Sequence, residues 1–217
     1  TLGAPPTTIK FKLRQNDTIQ KITPITFYKQ YIPIDTRELV CLTHNPCKSF
    51  YTIFKVENVM NVVNGIECKY YNLPMTTFQE LIRLSLDNDF PLYCACDIRP
   101  YHNRDSSLLD NTSVKYDELL GFHNSLDKCP QLLYSKSEPN HAILLKGYDT
   151  NKKNELTKWL AEDSHKTGYK SIIRDHLVIS KSWFRKFVYK VVIHKQFLSK
   201  QLLAKFGKKI KVCKKFF

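Results

Sequence analysis

The order of local signals along the chain predicts an α+β fold. Two observations carry that expectation. Helix-forming segments come before a run of strand-like segments, rather than alternating with them as a parallel sheet requires. Apolar residues make up 42% of the 217 positions, so the chain can bury a real core.

The elements follow in order. Thr1 to Lys21 opens with Leu2-Gly3-Ala4-Pro5-Pro6, which cannot be helix, and continues polar and extended. Thr23-Pro24 opens a short helix through Tyr31, and Pro33 ends it. Leu39 to Leu42 and Tyr51 to Val56 read as strands. Thr76 and Thr77 are the N-cap candidates of a helix that carries Phe78, Leu81 and Ile82 at helical spacing and runs to about Leu86. Asp87 to Asp89 stops it. Pro91 to Ile98 is a compact apolar run, read as a buried strand, and Pro100 to Pro139 is polar and loop-like. His141 to Tyr148 is a strong strand, paired with Glu155 to Ala161 through the turn at Asp149 to Asn154. Leu177 to Ser180 and Val188 to Ile193 are further strands, with Trp183, Phe184 and Phe187 on a helical turn between them. Ser199 caps a last helix with Leu202, Leu203 and Phe206 as its apolar stripe and Gly207 as its stop. This divides the chain into a region 1–207 and a basic tail 208–217.

The formal net charge is +14. Such a balance favours polyanionic partners. An AT-rich genome, which inflates Lys and Asn, produces the same composition, so charge alone leaves both readings open. The seven cysteines are odd in number and scattered, which argues against a secreted disulfide framework and for an intracellular protein. Cys94 and Cys96 alternate on one strand and read as core. His44 and Cys47 have ligand-like spacing without a partner pair, so neither zinc nor any other cofactor is expected. No apolar run reaches the roughly 18 to 20 residues that a membrane-spanning helix needs. The start at Thr1, without an initiator Met, leads to the expectation that a segment upstream is missing.

Several stretches, taken in order, carry a resemblance. They are LGAPP with TPITFYKQY, FKVENVMNVVNGIECKYYNLPMTTFQELI, PLYCACDI, NHAILLKGYD, KWLAEDSHKTGY and SWFRKFVYKVVIHKQFLSKQLL. Together they resemble the C-terminal half of the bleomycin hydrolase and aminopeptidase C family of papain-like cysteine peptidases, from Leu2 to about Phe206. The resemblance implies an antiparallel, β-rich core with flanking helices, incomplete relative to the family. It implies that His141 stands at the catalytic histidine, Asp163 at the catalytic asparagine, and His165 where an indole shelters that pair.

A thiol-peptidase site needs a thiolate, an imidazole that shares its proton, and a group that orients the imidazole. In the family the nucleophile and the oxyanion-hole Gln precede the region covered here, and none of the seven cysteines has a Cys-Gly-Ser/Ala-Cys-Trp-like context. Loss of a nucleophile costs about 10⁶ in kcat in triad hydrolases. Other departures point the same way. Asp replaces Asn at 163, which changes the charge balance with a thiolate, and His165 replaces an apolar lid. Lys170 to His176 reads as an insertion, Lys146 puts a charge in an apolar strand, and the family's C-terminal arm has no match in Lys208 to Phe217. On this reading His141 and Asp163 are vestigial.

The basic residues Lys205, Lys208, Lys209, Lys211, Lys214 and Lys215, with Arg185 and Lys186 before them, are the candidate nucleic-acid-binding set; a solvated terminus is the bland alternative. The reading this favours is a non-catalytic scaffold. It would bind RNA and neighbouring protein subunits in a larger assembly such as a divergent mitochondrial ribosome. The alternative is the C-terminal half of an active cysteine aminopeptidase, whose nucleophile lies on a missing segment or a separate N-terminal peptidase-like chain. A pseudo-peptidase that binds peptides without cutting them is a third.

Overall fold

The structure is a computed structural model, and it describes residues 11–15, 18–22, 26, 30, 35–56, 62–63, 66–67, 69–98, 108–110, 139–163, 176–207 and 210–213. The chain divides into two compact units, Thr1–Glu38 and Leu39–Phe217. In the first, β1 (Phe11–Gln15) and β2 (Thr18–Ile22) form an antiparallel hairpin. The helix expected from Thr23 to Tyr31 falls largely outside the described residues.

The second unit is built on one large sheet. Its strands are β3 (Leu39–Thr43), β4 (Thr52–Val56), β7 (Lys69–Asn72), β8 (Leu92–Cys96), β9 (Leu108–Leu109), β10 (His141–Thr150), β11 (Leu156–Glu162), β12 (His176–Ser180), β13 (Val188–His194) and β14 (Ile210–Cys213). The short pair β5 (Val62–Val63) and β6 (Ile66–Glu67) stands apart. The order across the large sheet is β14-β4-β7-β3-β13-β8-β10-β11-β12-β9. Six of its neighbouring pairs are antiparallel, while β14–β4, β3–β7 and β12–β9 are parallel. This is the α+β architecture expected, with helices set against a mainly antiparallel sheet.

Among the described residues, three α-helices belong to this unit. In α1 (Met75–Leu86) the buried residues Phe78, Leu81, Ile82 and Ser85 fall at i, i+3, i+4 and i+7, the spacing of one helical face. The helix starts earlier than expected. Pro74 is the cap, its carbonyl accepts from the Phe78 N–H, and neither Thr76 nor Thr77 caps it. A proline lacks the N–H that a helix interior requires, so it marks the boundary. Asp89, with φ 56°, turns the chain out after the helix, a conformation Asp tolerates. Serine oxygens do cap the other two. Ser180 accepts from Trp183 at the start of α2 (Lys181–Phe187), and Ser199 from Leu202 at the start of α3 (Lys200–Ala204). Leu203 departs from its expected stripe: it is exposed, while Leu202 and Phe206 are buried.

The core joins both layers. Trp159 of β11 stacks on Phe184 of α2 at 4.7 Å, and Phe184 meets Phe78 of α1 at 6.2 Å. Full burial of each such ring contributes about 2–3 kcal/mol. Within the span read as loop, Leu108–Leu109 form a two-residue strand that pairs parallel with β12, and Leu109 is fully buried. A two-residue strand has no period for a sequence pattern to show. At the opposite edge, Ile210–Cys213 pair parallel with β4.

Candidate active site

His141 begins β10 and Asp163 follows the last residue of β11, so the antiparallel pairing of the two strands brings together residues 22 apart in sequence. The imidazole Nε2 lies 3.0 Å from both Asp163 carboxylate oxygens. Both side chains are mostly buried, at 11% and 13% exposure. A carboxylate only accepts, so Nε2 carries the hydrogen and donates it to Asp163. In the neutral ring, Nδ1 is then the basic nitrogen. That is the tautomer an imidazole needs to take a proton from a thiol and return it to a leaving amine.

The strand that carries His141 is pinned at its start. The Asn140 amide donates to the buried Asp97 carboxylate at 2.8 Å and accepts from the Ile98 N–H at 3.0 Å. The Asn140 N–H donates to the Cys96 carbonyl, and the Asp97 N–H to the Phe187 carbonyl. These bonds tie β10 to the end of β8 and to α2. Asn140 and Asp97 are positioning residues that the sequence reading quoted but gave no role. The signal for them is the Asn-His pair of NHAILLKGYD and the Asp before the final Ile of PLYCACDI.

A cysteine does stand across from the imidazole's strand. Cys96 is the register partner of His141 on β8. Its chemistry is wrong for a nucleophile. It is fully buried, and its thiol is pushed well above the usual range by burial first, then by the Asp97 and Asp163 charges. Reactive cysteines show the opposite shift, toward thiolate at neutral pH. Cys94, the next residue on that face, is likewise buried, with its thiol raised by burial and then by Cys96. Both are core residues, as their alternation predicted.

Lys146 sits where β10 and β11 slip register, between Leu145 opposite Ala161 and Gly147 opposite Leu160. The bulge lets its ammonium reach Glu162 at 3.7 Å, so the charge that looked foreign to the strand is accommodated at the surface. A cavity of about 400 Å³ opens beside Asp163, lined by Tyr93, Ala142, Ile143, Leu144 and Glu162 as well. His165 and the stretch 170–175 lie outside the described residues.

The basic set is only partly described. Lys208, Lys209, Lys214 and Lys215 lie outside the described residues. Lys205, just past α3, holds its ammonium 5.3 Å from the Tyr51 ring centroid. Lys211 is exposed on β14, Arg185 is exposed on α2, and Lys186 is partly buried on α2. Among the described residues, no group of three His, Cys, Asp or Glu side chains could hold a metal ion. Among them, too, no helix is long and apolar enough to cross a membrane.

The family model of the Peptidase C1-like family matches residues 1–216. The chain belongs to this family. Within it, the chain is 30% identical over 213 residues to Aminopeptidase C of Listeria innocua serovar 6a, covering 95% of this chain and 48% of that protein. Aminopeptidase C of Lactobacillus delbrueckii subsp. lactis is 32% identical over 204 residues, covering 91% of this chain and 45% of its own length. Among solved structures, pepw from Lactobacillus rhamnosis hn001 superposes with a TM-score of 0.77 at 31% identity, over 98% of this chain and 49% of that one. The chain therefore spans about half the length of the relatives it matches. The resemblance to the C-terminal half of a papain-like aminopeptidase holds over nearly all of it.

Proposed function

We propose that this chain supplies the histidine-bearing half of a cysteine aminopeptidase. The observation that carries the reading is the hydrogen bond of 3.0 Å from His141 Nε2 to Asp163, in a chain of this family. The thiol comes from the portion of the relatives' length that this chain does not span. In the reaction, His141 Nδ1 takes the thiol proton and the thiolate attacks the substrate's amide carbon. The C–N bond breaks as the imidazolium returns the proton to the departing amine. Water then cleaves the thioester, giving up its proton through the same imidazole and releasing the acid and the thiol. Asp163 holds the ring in its tautomer and stabilises the imidazolium, the part an aspartate plays in serine triads.

This reading displaces the ribonucleoprotein scaffold. RNA binding and a mitochondrial ribosome rest on the charge of +14, the basic tail and a site read as lacking its nucleophile, whereas the relatives are named as aminopeptidases. An intracellular site of action fits Cys41, Cys47, Cys94 and Cys96, none of which is in a disulfide.

The test joins the chain to a nucleophile-bearing half, the part of Listeria innocua Aminopeptidase C that this chain does not match. Hydrolysis of an aminoacyl fluorogenic amide is the readout. His141→Ala lowers kcat by on the order of 10⁴-fold or more. Asp163→Asn, which keeps an acceptor on Nε2, loses much less than Asp163→Ala. Turnover that survives His141→Ala would rule the assignment out.

A further inference from the structure

At one end of the large sheet the fold leaves a strand edge open. β14 pairs with β4 on one side, and among the described residues no strand lies on its other side. Strand residues two apart share a face, and register partners on neighbouring strands share it too. Ile210, Ile53 and Tyr71 therefore stand in one row across β14, β4 and β7, and Val212, Lys55 and Lys69 stand in the next row on the same face. At the edge the two apolar side chains are open to solvent, Ile210 at 42% and Val212 at 57% exposure. Behind Val212, two lysines oppose each other directly across β4 and β7, an arrangement that costs stability between like charges. Lys211 alternates with Ile210 and Val212 and is exposed on the other face. No anion comes from these elements. β4, β7, β14 and α3 with its C-cap include Lys55, Lys69, Lys200, Lys205 and Lys211, and no Asp or Glu.

We propose that this edge takes an extended acidic peptide, which adds to β14 as a further strand. The place is separate from the His141–Asp163 pair, since β7, β3, β13 and β8 lie between β4 and β10 in the sheet. An open edge presents unpaired N–H and C=O groups, and a chain that adds there satisfies them along its length. The side chains of the added strand then fall into two sets. Apolar ones cover Ile210 and Val212. Carboxylates on the alternate face meet Lys211. In the sequence Lys208, Lys209, Lys214 and Lys215 flank the strand and raise the local positive charge further. Two other occupants fit less well. A second copy would set lysine-rich edges against each other, and edge lysines discourage such self-pairing. A nucleic acid meets the lysines through its phosphates, but it has no backbone amides for the edge and no alternating apolar side chains for Ile210 and Val212.

The probe is a short peptide of alternating Glu and Val, labelled with a fluorophore at its C-terminal end. Its N-terminus is acetylated, so it offers no free amino group for hydrolysis. Fluorescence anisotropy with the full chain gives a Kd on the order of 10⁻⁵ M, weakened by added salt. A peptide of the same charge with Pro in place of Val lacks the N–H groups of a strand and binds at least about tenfold more weakly. Val212→Glu and Lys211→Glu each weaken binding of the Glu-Val peptide at least about tenfold, with unchanged thermal midpoints. Lys152→Glu, which makes the same change of net charge at an exposed lysine of the β10–β11 turn, leaves binding unchanged. Bound peptide also slows hydrogen exchange at the amides of β14. The proposal is overturned if the Glu-Val peptide does not bind, or if the Pro peptide binds as tightly, which reduces the contact to charge alone. It is equally overturned if an oligouridylate of the same charge binds more tightly and loses that affinity in Lys211→Glu, which makes the edge a nucleic-acid site. Self-association in sedimentation that Val212→Glu abolishes assigns the edge to a second copy and overturns it as well.

Discussion

His44 shows how one side chain can report on the whole packing arrangement. It follows β3 and is buried, with its ring centroid 4.9 Å from that of Phe78 in an edge-on arrangement and Nε2–H donating to the Val188 carbonyl. Burial, with the Arg185 charge adding to it, holds its pKa down to about 4, although the backbone hydrogen bonds oppose the shift. The unfolded chain regains the ordinary value of about 6.5, so between the two it binds more protons than the native chain. Stability from His44 is therefore complete above about pH 6.5 and is lost as pH falls toward 4. The shift corresponds to on the order of 3 kcal/mol. Urea midpoints at pH 7 and 4.5 should show this fall in the wild type and a flatter profile in His44→Asn. Equal slopes in the two proteins would mean that His44 is not buried neutral. In sequence, His44 and Cys47 looked like half of a metal motif. The structure makes His44 a core histidine whose partner is a carbonyl 144 residues away, which no local spacing could show.

At the scale of elements, one amide fixes how β3, β4 and β7 meet. Asn72 ends β7 and is fully buried. Its Oδ1 accepts from the Asn45 N–H at 2.8 Å, and its Nδ2 donates to the carbonyls of Asn45, Lys48 and Ser49 at 3.0, 3.2 and 3.1 Å. The turn after β3 is thus held by the Asn72 side chain in addition to its own backbone bond, from the Lys48 N–H to the Asn45 carbonyl at 3.3 Å. Asn72→Asp keeps the shape but sets a carboxylate oxygen against those carbonyls. We expect a loss of about 2–4 kcal/mol in chemical denaturation, more than for Asn72→Ser, since a buried charge facing acceptors costs more than a lost donor. A smaller loss for the aspartate would show that the amide is not reading those carbonyls. The strands themselves were legible. β3, β8, β10, β11 and β13 fall within a residue or two of their apolar runs, because an apolar strand in a central sheet position needs little else to define it. What the pattern missed depends on backbone geometry or distant partners: the Pro74 start of α1, the two-residue β9, and the Lys146 bulge. The candidate pair His141–Asp163 was legible only through resemblance. Spacing alone does not place residues 22 apart at hydrogen-bond distance; the β10–β11 pairing does.

Across the whole molecule, the sheet order sets a gradient of stability that the site depends on. β13, β8 and β10 each have a strand on both sides, and Val191, Cys94 and Ile143 on them are buried. His141 opens the last of these three, so the imidazole is anchored to the best-protected part of the fold. The edges are different. β14 is bounded on one side only, with Ile210 at 42% and Val212 at 57% exposure, and β9 at the other end is two residues long. Edge strands open locally, whereas central strands release their amides only when the domain unfolds. Native-state hydrogen exchange should therefore find the amides of Val191, Cys94 and Ile143 exchanging at the rate set by global unfolding. Those of Lys211 and Val212 should exchange at least about 10³-fold faster through fraying. Denaturant should accelerate the first group strongly and the second weakly, since fraying exposes little surface. If β10 instead opened with the edges, the imidazole would ride on a labile strand, and the His141–Asp163 geometry held by Asn140 and Asp97 would have no rigid base.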